Sequence, residues 1–306
     1  MRLGTSLAEP DSPDALARLA DQLRAAAEDG FASAWMANIF GLEALTTLAL
    51  AGSQVPGIEV GTAVVPTYPR HPAVLAQQAL TADLALGGRL VLGIGLSHQI
   101  VIQDMYGYSF DRPARHMREY LSVLVPLLAG QHVDFDGETV HAHIGLSVPR
   151  PERKIPLLLA ALAPRMLRLA GEQADGTVLW MTGPKTVRDY IVPTITKAAS
   201  EAGRPAPRVV CILPVCVTDN PDQARVNADK AFAIYGQLPS YRAMLDKEGA
   251  AGPGDVAMVG AEEIVAAQIG ALADAGVTDF VAGEYGRGDE GLRTRALLRE
   301  LNAELG

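Results

Sequence analysis

The sequence predicts an α/β fold, a (β/α)8 TIM barrel with insertions, on three observations. Eight short apolar runs each precede a helical pattern, a helix–glycine–strand joint recurs along the chain, and 306 residues is the length of one large barrel. The runs fall at residues 2–7, 32–37, 58–65, 89–95, 156–160, 177–181, 209–217 and 278–283. Several are continuously apolar, as parallel strands buried on both faces require. Helical patterns lie at about 13–29, 42–53, 72–86, 112–129, 164–174, 185–202, 221–236 and 261–275, with one more at 289–304. An open doubly wound sheet is the alternative reading of the same alternation.

The first helix shows how the elements are marked. Ser12 is placed to cap it, Pro13 suits its first position, and Leu16, Leu19, Leu23 and Ala27 form one stripe. Gly30 ends it before the strand Ala32-Ser33-Ala34-Trp35-Met36. The same joint returns as Gly87-Gly88 before residues 90–93, as Asp175-Gly176 before Val178-Leu179-Trp180, and as Ala275-Gly276 before Asp279-Phe280-Val281. Glycine takes the left-handed helix cap that turns the chain straight into a strand.

Two segments interrupt the alternation. Residues 131–148 carry Asp136-Gly137, a hairpin signal between alternating runs, and residues 237–259 read as a long Gly/Pro-bearing loop. Barrel enzymes place lids and specificity loops in such insertions. The expectation is one barrel domain over residues 1–306 that includes both.

Composition narrows the function. A net charge of −9 provides no basic field for nucleic acid, and the longest apolar stretches are too short to span a bilayer. No signal-peptide pattern opens the chain, so a cytoplasmic protein without membrane partners is expected. Cys211 and Cys216, five apart in a strand, should face opposite sides as buried thiols. His141 and His143 could share a face of the hairpin, but no further ligands are evident, and no metal is expected. Arg112, Arg115, His116 and Arg118 form a basic helix start. No Walker loop, nucleophile elbow or His-x-x-x-His pair is present.

In a barrel of this kind the site lies at the C-terminal strand ends. That rule nominates Asn38-Ile39-Phe40, Ala63-Val64-Val65-Pro66, Gly95-Leu96-Ser97-His98, Ala160-Ala161-Leu162-Ala163 and Met181-Thr182-Gly183, with Glu284, Tyr285 and Arg287 completing the ring. Gly93-Ile94-Gly95 lets backbone approach a planar ligand. The turn before Pro164, with Arg165 in the first helical turn, offers free N–H groups to a phosphate.

The run Ile58-Glu59-Val60-Gly61-Thr62-Ala63-Val64-Val65-Pro66, followed by Arg70-His71-Pro72, resembles the third βα unit of bacterial luciferase-like enzymes. Residues 89–95, the segment Asp111-Arg112-Pro113-Ala114-Arg115-His116, and residues 156–163 followed by Ala174-Asp175-Gly176 continue the resemblance in order. The branch most similar is the coenzyme F420-dependent one, which includes methylenetetrahydromethanopterin reductases and F420-dependent sugar-phosphate dehydrogenases. The resemblance implies a homodimer, a deazaflavin ring across the barrel mouth, and a non-proline cis peptide at Ala63-Val64. It places the cofactor against Asn38, Ala63, Val64, Gly95, Ser97, His98, Ala160, Ala161, Leu162, Ala163, Arg165, Thr182 and Gly183. Leu162 departs from the glycine common in relatives.

A second departure bears on the chemistry. Sugar-phosphate dehydrogenases of this branch carry Asp-His-Phe after strand two, with histidine as the base, where this chain has Asn38-Ile39-Phe40. Isoleucine cannot take a proton from an alcohol, so reduction of an activated C=C or C=N bond in a small substrate fits better. His98 and Asn38 are then the candidate catalytic residues. An FMN-dependent luciferase-like monooxygenase and a non-catalytic flavin-binding relative are the alternatives.

Overall fold

Parallel strands close into a barrel in the computed structural model of the chain, which describes residues 1–149 and 152–305. The barrel strands are β1 (Arg2–Ser6), β2 (Ser33–Met36), β3 (Glu59–Thr62), β5 (Leu90–Gly95), β8 (Leu157–Ala160), β9 (Gly176–Trp180), β10 (Arg208–Val217) and β12 (Asp279–Glu284). They pair in the order β10-β12-β1-β2-β3-β5-β8-β9, and β9 pairs with β10 to close the ring. Arg208↔Gly176 and Ile212↔Trp180 are registers of that closing pair. The closed barrel, not the open sheet, is therefore the fold.

Strand three is interrupted. The Ala63-Val64 peptide is cis, as the resemblance implies, and the short strand β4 (Val65–Pro66) then pairs with Ile94 and Gly95 of β5. The expected strand at 58–65 is thus two pieces.

Helices α1 (Ala15–Glu28), α2 (Ala44–Gly52), α3 (Pro72–Ala85), α4 (Pro113–Leu128), α5 (Pro164–Gln173), α7 (Val192–Glu201), α8 (Pro221–Ala231), α12 (Glu262–Asp274) and α13 (Asp289–Leu305) ring the strands. The short α6 (Pro184–Thr186) leads through a π-helical turn (Val187–Ile191) into α7. Most predicted spans match within a few residues. Ser12 is not the cap of α1, however: Asp14 holds that position without a side-chain hydrogen bond. Leu16 is exposed and the buried stripe is Ala15, Leu19, Ala20, Leu23 and Ala26, which shares only Leu19 and Leu23 with the expected one.

The hairpin is where the sequence puts it, as β6 (Val133–Asp136) and β7 (His141–Ile144). It is tied down by Glu119, whose carboxylate accepts from the Thr139 N–H and hydroxyl at 2.7 Å each. Glu138 pairs with Arg112 and Arg115, so these two arginines of the basic helix start anchor the hairpin. The 237–259 segment, by contrast, is no loop. The helix expected over 221–236 breaks at Phe232 into α8 and α9 (Ala233–Gln237), and the segment itself holds α10 (Pro239–Glu248), α11 (Pro253–Val256) and the strand β11 (Met258–Gly260) on the edge of β10. Pro239 is the N-terminal proline of α10, and Gly249 ends it in the left-handed region at φ 85°.

Two cores result. The larger lies between strands and helices. The smaller fills the barrel: Trp35, Val91, Leu158, Val178, Val210, Ile212 and Val281. Below it, at the N-terminal strand ends, Arg208 donates to Asp279 at 2.9 Å and to Glu59 at 2.6 Å, and Arg2 donates to Asp279 at 2.8 Å. That ionic plug closes one end of the barrel. Cys211 and Cys216 are buried free thiols that pack in different clusters, as their odd spacing predicts. Among the described residues no helix is long and apolar enough to cross a membrane.

Candidate active site at the barrel mouth

The C-terminal end of the barrel has a floor of small residues. Side chains alternate along a strand, so the layer above the interior core takes the next inward position of each strand. On six of the eight strands those positions are Ser6, Ala63, Gly95, Ala160, Trp180 and Gly283, all small except Trp180. Ala63, Val64 and Trp180 pack directly on the interior core and are partly exposed. A Cβ at Gly95 would stand 2.7 Å from Val64 Cγ2 and 3.2 Å from Ala160 Cβ, so glycine there keeps the floor low. Gly93 has another reason: its Cβ would meet the Thr62 carbonyl oxygen at 2.0 Å. Of the Gly93-Ile94-Gly95 pair, only Gly95 bears on the mouth.

His98 rises from the end of β5. Ser97 turns the chain in the left-handed region, φ 61°, and the His98 carbonyl then accepts from Val101 and Ile102 at the start of a π-helical turn (Ile100–Met105). The His98 ring is half-buried against Tyr241 of α10, 5.6 Å between centroids, and burial holds its pKa below the ordinary imidazole value. Burial therefore disfavours the charged imidazolium there. Asn38 is more committed than its sequence position suggests. Its Oδ1 accepts from the Ala44 N–H at 3.0 Å and so fixes the start of α2. Its amide nitrogen makes no hydrogen bond among the described residues.

The turn from β8 into α5 is an open helix N-terminus. Ala163 is the N-cap residue with no side-chain cap, Pro164 follows, and Ala163, Pro164 and Arg165 are exposed. Arg165 makes no ion pair among the described residues. Leu162 does not adopt a positive φ, so this geometry does not need the relatives' glycine, and its carbonyl accepts from the Tyr190 hydroxyl at 2.9 Å.

Thr182 and Gly183 are differently placed. Both are buried, Thr182 Oγ1 donates to the Trp180 carbonyl, and the N–H groups of Lys185 and Thr186 donate to Glu248 at 3.1 and 2.7 Å. A carboxylate from α10 already satisfies that helix start. An anion held at the α5 turn therefore gets its N–H donors from Ala161–Ala163 and the first turn of α5.

Sequence reasoning missed the rings that α9 and α10 bring to the mouth. Phe232, Tyr235 and Tyr241 join Trp180 and Tyr285 there. The signal available was the aromatic spacing around Pro239. Of the other nominated residues, Glu284 accepts from Thr5 at 3.0 Å and Arg295 at 2.7 Å, which makes it part of the frame. His116 is not part of a basic surface. It is buried, bonded to Thr67 Oγ1 at 3.1 Å, stacked on Tyr68 at 4.0 Å, and pushed down to about 4 by burial. His141 and His143 face Asp136 and Asp134 across the exposed hairpin, carboxylates the sequence reading overlooked. No cluster of metal-ligating geometry occurs among the described residues.

Known proteins share the frame. The chain is 26% identical over 301 residues to the 5,10-methylenetetrahydromethanopterin reductase of Methanolobus tindarius, covering 88% of this chain and 91% of that one. Its fold matches the coenzyme F420-dependent tetrahydromethanopterin reductase of Methanopyrus kandleri with a TM-score of 0.82 at 23% identity, covering 98% and 97% of the two chains. It also matches the FMN-bound oxygenating constituent of 3,6-diketocamphane monooxygenase from Pseudomonas putida, with a TM-score of 0.78 at 18% identity, covering 99% and 97%. The luciferase-like monooxygenase family profile matches residues 2–279. The chain belongs to the luciferase-like monooxygenase family and is an enzyme of that kind.

Proposed function

We propose that this enzyme transfers a hydride between the deazaflavin coenzyme F420 and a small organic molecule, reducing an activated C=C or C=N bond. The reading is carried by the low floor of Ala63, Gly95 and Ala160 beside a helix start without a side-chain cap, where Arg165 has no ion pair among the described residues. A planar ring with an anionic tail fits both features. The deazaflavin is favoured over FMN by the F420-dependent enzymes among the relatives.

When bound, the cofactor supplies the hydride chemistry. The chain's own part is to hold two reactants in register and keep a polar group at the reacting face. His98 is that group, acting as proton donor or hydrogen-bond partner. Asn38, with its oxygen committed to Ala44, acts through its amide N–H groups to orient a ligand. Ala63, Val64, Gly95, Ser97 and Ala160 contact the ring; Ala161, Leu162, Ala163 and Arg165 hold the phosphate, with Thr182 and Gly183 lining the same side as buried support.

We assign the contact of a homodimer to Leu50 on α2 and Val74 and Leu84 on α3, apolar side chains that are exposed in the single chain. We infer one barrel domain per subunit and a small molecule as the partner in catalysis.

Titrating the purified apoprotein with each cofactor tests the reading. The deazaflavin is expected to bind at least about tenfold more tightly than FMN, a gap of about 1.4 kcal/mol. Equal affinity, or purification with FMN bound, moves the enzyme to the monooxygenase branch.

A further inference from the structure

We propose that the barrel mouth carries an aromatic wall that selects planar, conjugated, largely apolar substrates, a specificity that rests on the oxidoreductase reading above. Six rings follow one another across the mouth. His98 meets Tyr241 at 5.6 Å between centroids, Tyr241 meets Tyr235 at 5.2 Å, and Tyr235 meets Trp180 at 5.7 Å. Trp180 meets Phe232 at 5.4 Å, and Phe232 meets Tyr285 at 6.2 Å. The last four contacts are edge-to-face, with interplanar angles of 88°, 77°, 81° and 82°. Rings in that arrangement can take up one more π-system by the same geometry.

One side of the wall packs on the core: Trp180, Phe232, Tyr235 and Tyr241 lie against the larger cluster, and Tyr285 lies against the Cys216 cluster with its hydroxyl donating to the Ala224 carbonyl at 3.1 Å. All six rings are partly exposed, whereas the packing aromatics Trp35, Tyr120 and Phe280 are fully buried. The chain has two tryptophans, eight tyrosines and six phenylalanines, and five of them gather at this one place. The cations of α10 are occupied away from it. Arg242 donates to Asp246 and to the carbonyls of Ala250 and Ala251, and Lys247 sits over the Tyr190 ring. A sugar phosphate therefore finds no α10 cation in the wall. Polar selectivity is confined to a few donors. Trp180 Nε1 is buried without a partner, and the hydroxyls of Tyr235 and Tyr241 make no hydrogen bond among the described residues. These suit one or two carbonyl oxygens on an otherwise apolar molecule.

The chain's two tryptophans make the proposal measurable without turnover. Trp35 is sealed inside the barrel, so a ligand-induced change in tryptophan fluorescence reports Trp180. Two enones serve as probes, benzylideneacetone with a phenyl ring and mesityl oxide without one, alongside glucose 6-phosphate. Affinities are measured by calorimetry on the wild-type chain, with and without the deazaflavin. Benzylideneacetone is expected to bind at least about tenfold more tightly than mesityl oxide. It should also change the fluorescence, and Trp180→Phe should lose that response. Equal affinity for the two enones, or tighter binding of glucose 6-phosphate, overturns the wall. If that happens while the deazaflavin binds tightly, only the wall fails. If benzylideneacetone is preferred by a protein that ignores the deazaflavin, the wall stands and the cofactor reading falls.

Discussion

His98 is the residue on which the proposed chemistry turns. Burial lowers its pKa below 6.5, so the folded protein favours the neutral ring. If His98 donates the proton during reduction, only the protonated form is competent. The rate of reduction then declines as pH rises through a value below 6.5, and the opposite reaction, which needs the neutral base, gains over the same range. A pH–rate profile in both directions checks this, and His98→Gln should flatten that limb. His98→Ala is expected to lower turnover by at least about tenfold while leaving cofactor affinity within a few-fold. Unchanged turnover would remove His98 from the mechanism. The position of His98 after a glycine-flanked strand end was readable from sequence. Its contact with Tyr241 was not, because the two lie 143 positions apart and meet only through the placement of α10.

At the scale of elements, the open start of α5 and the capped start of α6 divide the labour at the barrel rim. Glu248 meets the N–H groups of Lys185 and Thr186, which leaves the Ala161–Ala163 turn as the unfilled donor set. Ala163 has φ −78°, a value proline tolerates, so Ala163→Pro removes an N–H without a change of φ at that residue. Cofactor binding should weaken by about 1–3 kcal/mol, the cost of an unmade bond to a charged acceptor. Fluorescence titration of the deazaflavin measures it. A cofactor-bound structure with the phosphate more than about 6 Å from this turn would rule the placement out, since hydrogen bonds need heavy atoms near 3 Å. The start of α5 was legible because proline and the strand end mark it. Helix α10 was not, since Pro239 and Gly249 read equally well as loop punctuation, and only packing shows them to be its two ends.

For the whole molecule, the two barrel ends differ in kind. The ionic plug of Arg2, Glu59, Arg208 and Asp279 seals one, and small residues leave the other open. Outside the barrel, Leu50, Val74 and Leu84 expose apolar surface on the neighbouring helices α2 and α3, which we assign to a homodimer contact. Sedimentation should give twice the chain mass, and Leu50→Glu with Leu84→Glu should give single chains with unchanged circular dichroism. A wild-type chain that sediments as a monomer at micromolar concentration would sink the assignment.

The sequence by itself determined the alternation of strands and helices, the hairpin at Asp136-Gly137, the buried thiols and the ring of strand ends. Each of these follows from local periodicity, turn chemistry or the side-chain alternation of a strand. Only the tertiary structure decided which nominated residues are available. Asn38, Glu284 and the helix start after Gly183 are tied up by Ala44, by Arg295 and by Glu248, partners that other elements bring in. Phe232, Tyr235 and Tyr241 became part of the mouth for the same reason. A side chain's surroundings are set by what folds over it, and the periodicity of its own element says nothing about that.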